Sequence, residues 1–468
     1  MKPPFDIAAD LDTPVSAFRK LQAAGYEPSF LLESVEGGAR LARYSFLGLG
    51  RAVALTLTEE TLTLNGESRK APNSRAALLG ALREALDLAP LLAPSDTGLP
   101  FTGGLVGASG YDIVRRFERL PDSARAEDGA LWASYVAPRS LLVFDHFTRR
   151  VALLHAGPDW ERESLRREII HALRGAMPPS PVRTGHAPPT PSLTREEFLA
   201  RVDTIKTHII DGDVFQLVLS VRFEGEHRSD PFEVYRALRL LNPSSYMYFL
   251  DLPNSHDQPL NIVGSSPEAL VKLQSGVAHL RPIAGTRPRG ENDDRDNALE
   301  AELLADPKEA AEHVMLVDLA RNDLGRVAKP GTIRVDPFRV IERYSHVMHL
   351  VSGVAGELEE GKDMFDLFAA AFPAGTLVGA PKVRAMEIID GLEPVRRGLY
   401  GGTVGYFSKS GDMDQAICIR TVVFDDGRYA YQAGAGIVAD SIPSAEHDEV
   451  HAKIGALEAA LRLAEAGL

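Results

Sequence analysis

The chain has 468 residues, 44% hydrophobic and 25% charged, the balance of a soluble globular protein with room for two or three domains. Its net charge of −14 leaves no basic surplus to neutralise phosphates, which excludes broad nucleic-acid or anionic-membrane binding but allows a small anionic substrate. One cysteine, Cys418, excludes an internal disulfide and cysteine-rich metal sites; with no run of about 18 apolar residues and no signal-peptide core in MKPPFDIAADLDTP, a cytoplasmic enzyme is expected.

In chain order, residues 14–24 read as a short helix and 30–34 as a strand opening onto a Gly37-Gly38 turn. Val53, Leu55 and Leu57 alternate against Leu62 and Leu64 around Glu59-Glu60, the pattern of a hairpin. Residues 74–88 form an amphipathic helix, and Gly103, Gly104, Gly107 and Gly110 permit close backbone approach. Blocks 141–144 and 151–154 pair as a second hairpin, followed by a helix over 161–174. The proline-rich MPPSPVRTGHAPPTPS at 177–192 holds little that enters a core, so it reads as a linker between an α+β region at 1–176 and a second domain at 193–468.

Beyond the linker, Thr194 and Glu197 make a capping box for a helix running to Ile210 and ending at Gly212. Strand-like blocks at 214–223, 246–250, 262–264, 270–273, 403–407 and 417–424 come in clusters without strict strand–helix alternation. That arrangement predicts α+β with antiparallel sheets rather than a doubly wound fold.

Two acidic helices stand out. In LLADPKEAAEHVMLVDLARNDLGRV (303–327), Asp306 and Pro307 start a helix whose Val314, Val317 and Leu319 mark a buried side. Glu309, Glu312 and His313 then share one face, suited to a hard metal ion or to acid–base work. The bland alternative is that Glu309 closes a capping box with Asp306 and Glu312 is solvated. A second helix begins near Ser444, with Val450, Ile454, Leu457 and Leu461 as its buried stripe and Glu446, Glu449 and Lys453 on another face. Facing one another, these helices offer four carboxylates to one Mg²⁺, preferred to zinc because every donor is a hard oxygen. The alternative there is an ordinary Glu449–Lys453 surface pair.

Between the helices, 282–287 (PIAGTR) reads as a turn presenting Gly285 and Thr286 to a carboxylate. YSHVMH at 344–349 alternates like a strand, with His346 and Met348 on one face and His349 on the other. Ala374-Gly-Thr376 and Gly434-Ala435-Gly436 read as small-residue turns open to a ligand. Arg420, in the apolar strand 416–424, is costly to bury without an anionic partner. Three motif look-alikes carry no function: GAGIVA at 434–439 lacks a βαβ context, GTLVGAPK at 375–382 has the wrong phosphate-loop spacing, and His447 and His451 flank Glu449 in the wrong order for a zinc hydrolase.

Residues 194–465 resemble the chorismate-utilising enzymes nearly end to end. GDVFQLVLS, IVGSSPEAL, RPIAGTRPRG, DPKEAAEHVMLVDLARNDLG, FPAGTLVGAPK, YGGTVGYF and QAGAGIVADS follow in that family's order. The resemblance implies a sandwich of antiparallel β-sheets with surrounding helices. Ala284 stands where aminodeoxychorismate synthases often carry a nucleophilic lysine, and Gln216 where isochorismate and salicylate synthases place a lysine base. Both favour the anthranilate-forming branch, component I, which converts chorismate and ammonia to anthranilate, pyruvate and water.

That resemblance implies Mg²⁺ on Glu312 and Glu449 with Glu309 and Glu446 in support, and Glu309 as general acid for the departing hydroxyl. Tyr400, Arg420 and the Gly434, Ala435 and Gly436 amides would hold the enolpyruvyl carboxylate, His349 and Thr376 would assist near the ether oxygen, and Gly285 and Thr286 would meet the ring end. It makes 1–176 a regulatory region, with tryptophan as feedback inhibitor at Glu33, Ser34, Ser245, Tyr246 and Met247. Ser245 replaces a proline of the inhibitor motif NPSPYM. A separate glutamine amidotransferase subunit would supply ammonia, in a heterotetramer of two large and two small subunits. The competing readings are aminodeoxychorismate synthase component I and a non-catalytic tryptophan-binding regulator.

Overall fold

The computed structural model describes residues 4–34, 43–94, 98–126, 129–181, 184–343 and 347–468. Two large antiparallel sheets, of 12 and 11 strands among the described residues, carry helices on their outer faces, and a 3-stranded sheet stands apart. Each large sheet draws strands from both halves of the chain. In the first, Pro28–Glu33 pairs with Tyr246–Pro253, setting Glu33 opposite Met247. In the second, Gly104–Ser109 pairs with Thr403–Ser408, setting Ser109 opposite Thr403. The segment 177–192 therefore joins two halves of one sandwich. Its Thr190–Pro191 pairs with Gln216–Glu226, and Tyr429 Oη donates to the Ala187 carbonyl at 2.7 Å.

A closed apolar layer containing Phe30, Phe101, Val106, Val143, Tyr248, Ile262 and Cys418 lies between the sheets. Helices cover the other faces with the stripes their periodicity dictates, such as Val450, Ile454, Leu457 and Leu461 of Pro443–Ala466. Start signals hold locally: Thr194 and Glu197 exchange both capping-box bonds, at 3.2 and 2.8 Å.

Three local expectations are corrected. The 416–424 stretch is not one strand: Met413–Ile417 belongs to the 11-stranded sheet and Thr421–Asp425 to the 12-stranded sheet. Between them the chain crosses from sheet to sheet, and Arg420 takes a left-handed φ of 50°. Both flanks are core of some sheet, so the apolar run shows no break. Residues 282–287 are not a turn; Ile283–Pro288 is a strand paired with Val347–Val351, and its register slips at Gly285, which has φ 63°. Gly434–Gly436 likewise lies inside the strand Arg428–Ile437.

Candidate active site

The site forms where the chain passes twice between the sheets. Pro259–Ser266 leaves the first sheet and Ala269–Gln274 enters the second, with Glu268 in the step. Alongside runs the opposite step carrying Arg420. Backbone bonds lash the two crossings together, Ile417 N to Glu268 O at 2.9 Å and Ser265 N to Arg420 O at 3.1 Å. Thr376, in the 3₁₀ turn Gly375–Leu377, donates its hydroxyl to Glu268 Oε1 at 3.0 Å. Burial raises the Glu268 carboxyl to about 7, against the Thr376 hydrogen bond and the charges of Arg420 and Lys453. Sequence reasoning missed Glu268. Its signal was a carboxylate between Pro267 and the apolar Ala269-Leu-Val.

The strand Arg428–Ile437 supplies the floor. Its ladder with Thr421–Asp425 stops at Val422–Tyr431, so residues 433–437 pair on one side, with Gln216–Glu226. A Cβ on Gly434 would stand 2.8 Å from Leu219 O and 2.9 Å from Tyr400 Oη; one on Gly436 would stand 2.7 Å from Gln216 Nε2. Glycine is thus what lets the phenol and the amide lie against this strand. Ala435 is buried and points to the opposite face, leaving only its backbone for the site. Burial raises the Tyr400 phenol, so it stays protonated and can donate a hydrogen bond. Lys453 Nζ lies 2.9 Å from Gly434 O and 2.7 Å from Glu449 Oε1.

His349, on Val347–Val351, places Nδ1 3.2 Å from the Gly285 carbonyl and 3.1 Å from Thr286 Oγ1. A carbonyl only accepts, so Nδ1 carries the proton and Nε2 keeps its lone pair. Burial, and then the Arg420 charge, lower this imidazole against the Gly285 bond. A Cβ on Gly285 would meet Leu303 Cδ1 at 2.8 Å and Glu309 Oε2 at 3.0 Å. Tyr344, Ser345 and His346 lie outside the described residues.

The two acidic helices face each other electrostatically. Burial and then Glu309 raise the Glu312 carboxyl; Gln216 hydrogen-bonds to it, and Glu449, on the other helix, pushes it up further. Burial and then Glu449 raise Glu446, while Ser441, Lys453 and Lys308 pull it down. Asp306 caps Pro307–Gly325, accepting from Lys308 N at 2.9 Å and Glu309 N at 3.2 Å. Glu309 does not close a capping box; its Oε1 meets Arg287 Nη1 at 3.2 Å, beside the Arg287–Asp306 pair at 3.0 Å. The buried face of this helix is His313, Leu316, Val317, Ala320 and Leu324, and Val314 is exposed, a rotation from the expected stripe. His313 is turned inward to Ser352 Oγ at 2.7 Å, and burial lowers it to about 4, which removes it from the carboxylate face.

Among the described residues no three His, Cys, Asp or Glu side chains converge on one metal position. The donor chemistry still suits a hard dication: two carboxyls, Glu312 and Glu446, are raised partly by neighbouring carboxylates, which a 2+ ion would offset.

At the expected inhibitor site, Glu33 is buried and accepts from Arg239 Nε at 3.0 Å and from Tyr235 Oη. Tyr246 Oη donates to Asp414 Oδ1 at 2.9 Å, tying this sheet to the second one. Ser34 stands one residue beyond the Glu33–Met247 pair, and Ser245 directly precedes the strand Tyr246–Pro253.

A family model described as chorismate binding enzyme matches residues 27–459. The chain belongs to the chorismate-binding enzymes. Anthranilate synthase component 1 of Mycobacterium tuberculosis is 46% identical over 98% of this chain and 92% of that protein. Its counterpart in Acetivibrio thermocellus is 42% identical over 99% and 95%. The crystal structure of anthranilate synthase component I from Streptococcus pneumoniae TIGR4 superposes with a TM-score of 0.77 at 34% identity, covering 89% of this chain and 92% of that one. The α+β sandwich is thus that of a chorismate-binding enzyme, and the 27–459 match runs through both halves, in keeping with sheets that both halves build. No helix among the described residues is long and apolar enough to cross a membrane.

Proposed function

We infer that this protein is an anthranilate synthase large subunit, converting chorismate and ammonia to anthranilate, pyruvate and water. The observation that carries the reading is the pairing of a proton-holding carboxyl with an anion-binding wall: Glu268, raised to about 7, lies beside Thr376 and within the field of Arg420. A general acid works best with a pKa near the working pH. Glu309, the donor expected from the sequence, has its Oε1 engaged by Arg287 Nη1 at 3.2 Å. We therefore take Glu268 as the donor to the departing hydroxyl, on its place beside Thr376.

Arg420, the Tyr400 hydroxyl beside Gly434 and the one-sided backbone edge at Gly434–Gly436 would orient the enolpyruvyl carboxylate. His349, whose Nδ1 is held by the Gly285 carbonyl and Thr286, would assist near the ether oxygen, and Gly285 and Thr286 would meet the ring end. Glu312 and Glu449, with Glu309 and Glu446, would hold Mg²⁺, which when bound polarises the ring carboxylate. Gln216 steadies Glu312 through its amide.

Residues 1–176, 177–192 and 193–468 take the roles of regulatory region, connector and catalytic part of this one sandwich. Tryptophan would bind at Glu33, Ser34, Ser245, Tyr246 and Met247, and a glutamine amidotransferase subunit would deliver ammonia in a cytoplasmic heterotetramer. The test is chorismate, Mg²⁺ and excess ammonium at high pH, followed by anthranilate fluorescence and pyruvate release. Aminodeoxychorismate formed without pyruvate would reassign the branch, and no turnover at all would sink the reading.

A further inference from the structure

Beneath the site lies a buried charge pair. Arg397 and Glu393 are 3% and 4% exposed, joined by Nε–Oε2 at 2.8 Å and Nη2–Oε1 at 2.7 Å. Every other arm of the pair ends on a part of the active site. Arg397 Nη1 donates to Leu377 O at 2.6 Å, the residue after Thr376, and Nη2 donates to Val218 O at 2.9 Å. Glu393 Oε1 accepts from Ser220 N at 2.9 Å and Ser220 Oγ at 2.6 Å, and Gln432 Nε2 donates to that hydroxyl at 2.8 Å. Val218 and Ser220 are the cross-strand partners of Gly436 and Gly434. The guanidinium also lies 5.6 Å from the Tyr400 ring centroid and 4.9 Å from that of Tyr111.

We propose that the Arg397–Glu393 pair is the positioning device of this active site, holding the Thr376 turn, the Tyr400 ring and the Gly434–Gly436 edge in one mutual geometry. The pair's bonds are spent on protein, so it acts on substrate only through those three neighbours. Stability does not explain its presence, since well-packed apolar residues commonly replace a buried ion pair without loss. A fork of fixed shape is what reaches two carbonyls and a carboxylate together, and an ammonium cannot.

The proposal rests on the anthranilate synthase reading, and the experiment separates the two. Wild type, Arg397→Lys, the Arg397→Met/Glu393→Leu double variant and Ser220→Ala are compared in thermal melting, in kcat and KM for chorismate with ammonium, and in the pH dependence of kcat/KM. Arg397→Lys is expected to melt within a few degrees of wild type while kcat/KM falls at least tenfold and KM rises. The alkaline limb of kcat/KM should also move up, because the displaced Thr376 no longer favours the charged form of Glu268. Arg420 and Lys453 face that carboxyl too, and Arg281 and Asp323 line the adjoining 50 Å³ cavity; Arg397 bonds to none of them.

The apolar double variant should recover the melting temperature and not the activity. Wild-type kcat/KM in that variant, or an Arg397→Lys loss that only tracks the unfolded fraction with KM and pH limb unchanged, overturns the proposal. Should Arg397→Lys not fold, Ser220→Ala decides it: a threefold or larger rise in KM supports the pair's role, and an unchanged KM refutes it. A wild type that forms no anthranilate overturns the functional reading instead; chorismate affinity by calorimetry then replaces KM, and the same ranking of variants is required.

Discussion

Thr376 donates its hydroxyl to Glu268 at 3.0 Å, joining a 3₁₀ turn to the step by which the chain leaves one sheet for the other. The bond favours the carboxylate, while burial favours the acid, and the balance falls at about 7. If Glu268 protonates the leaving hydroxyl, the protonated enzyme is the active one. Glu268→Gln should then lower kcat by about 10²-fold or more with the melting temperature kept. Thr376→Val should hold the carboxyl protonated to higher pH, moving the alkaline limb of kcat/KM upward. A limb that stays in place, or moves down, removes Glu268 from that role.

Helix starts, apolar stripes and the α+β class were legible because they are local: Thr194 with Glu197, Asp306 with Pro307 and the Val450–Leu461 stripe each lie within a few turns. Pairings such as Glu33 with Met247 or Ser109 with Thr403 leave no local trace, so one sandwich read as two regions and a linker. The crossing at Cys418–Arg420 was hidden for a related reason. Period-2 patterning reports which face is buried, not which sheet the face belongs to. Glu268 went unseen because its carboxyl matters through burial and through Thr376, more than a hundred positions away.

Two glycines of one strand should respond differently to the same methyl group. At Gly434 the added Cβ meets backbone, Leu219 O at 2.8 Å, as well as the Tyr400 hydroxyl at 2.9 Å. Gly434→Ala should cost about 1–3 kcal/mol of stability and raise KM for chorismate. At Gly436 the Cβ meets the movable end of Gln216 at 2.7 Å. Gly436→Ala should keep its melting temperature but displace the Gln216 amide from Glu312, weakening Mg²⁺ activation. Equal melting temperatures for the two variants would contradict the difference between them.

Ser34 stands at the exit of the strand whose Glu33 is held by Arg239 and Tyr235. A bulky residue there would intrude on the proposed inhibitor site without touching Glu268, Tyr400 or the acidic helices. Ser34→Leu should retain ammonia-dependent anthranilate formation within about twofold and lose inhibition by tryptophan. Anthranilate fluorescence with increasing tryptophan reads both, and undiminished inhibition would move the site elsewhere.

If Mg²⁺ binds between the acidic helices as proposed, they set a pH dependence for it. A carboxylate must shed its proton to bind Mg²⁺, and Glu312 and Glu446 are both raised, first by burial and then by the carboxylates beside them. Protons therefore compete at a higher pH than for ordinary glutamates, and Mg²⁺ affinity should weaken as pH falls through that raised range. Replacing Glu449 removes one repelling charge from each, so Glu449→Gln should lower both carboxyls and shift the pH dependence down. It should also weaken Mg²⁺ binding at pH 8 by about tenfold or more through the lost donor. Calorimetric Mg²⁺ titration at several pH values, without turnover, separates the two effects. Unchanged affinity in Glu449→Gln would mean the metal sits away from these helices.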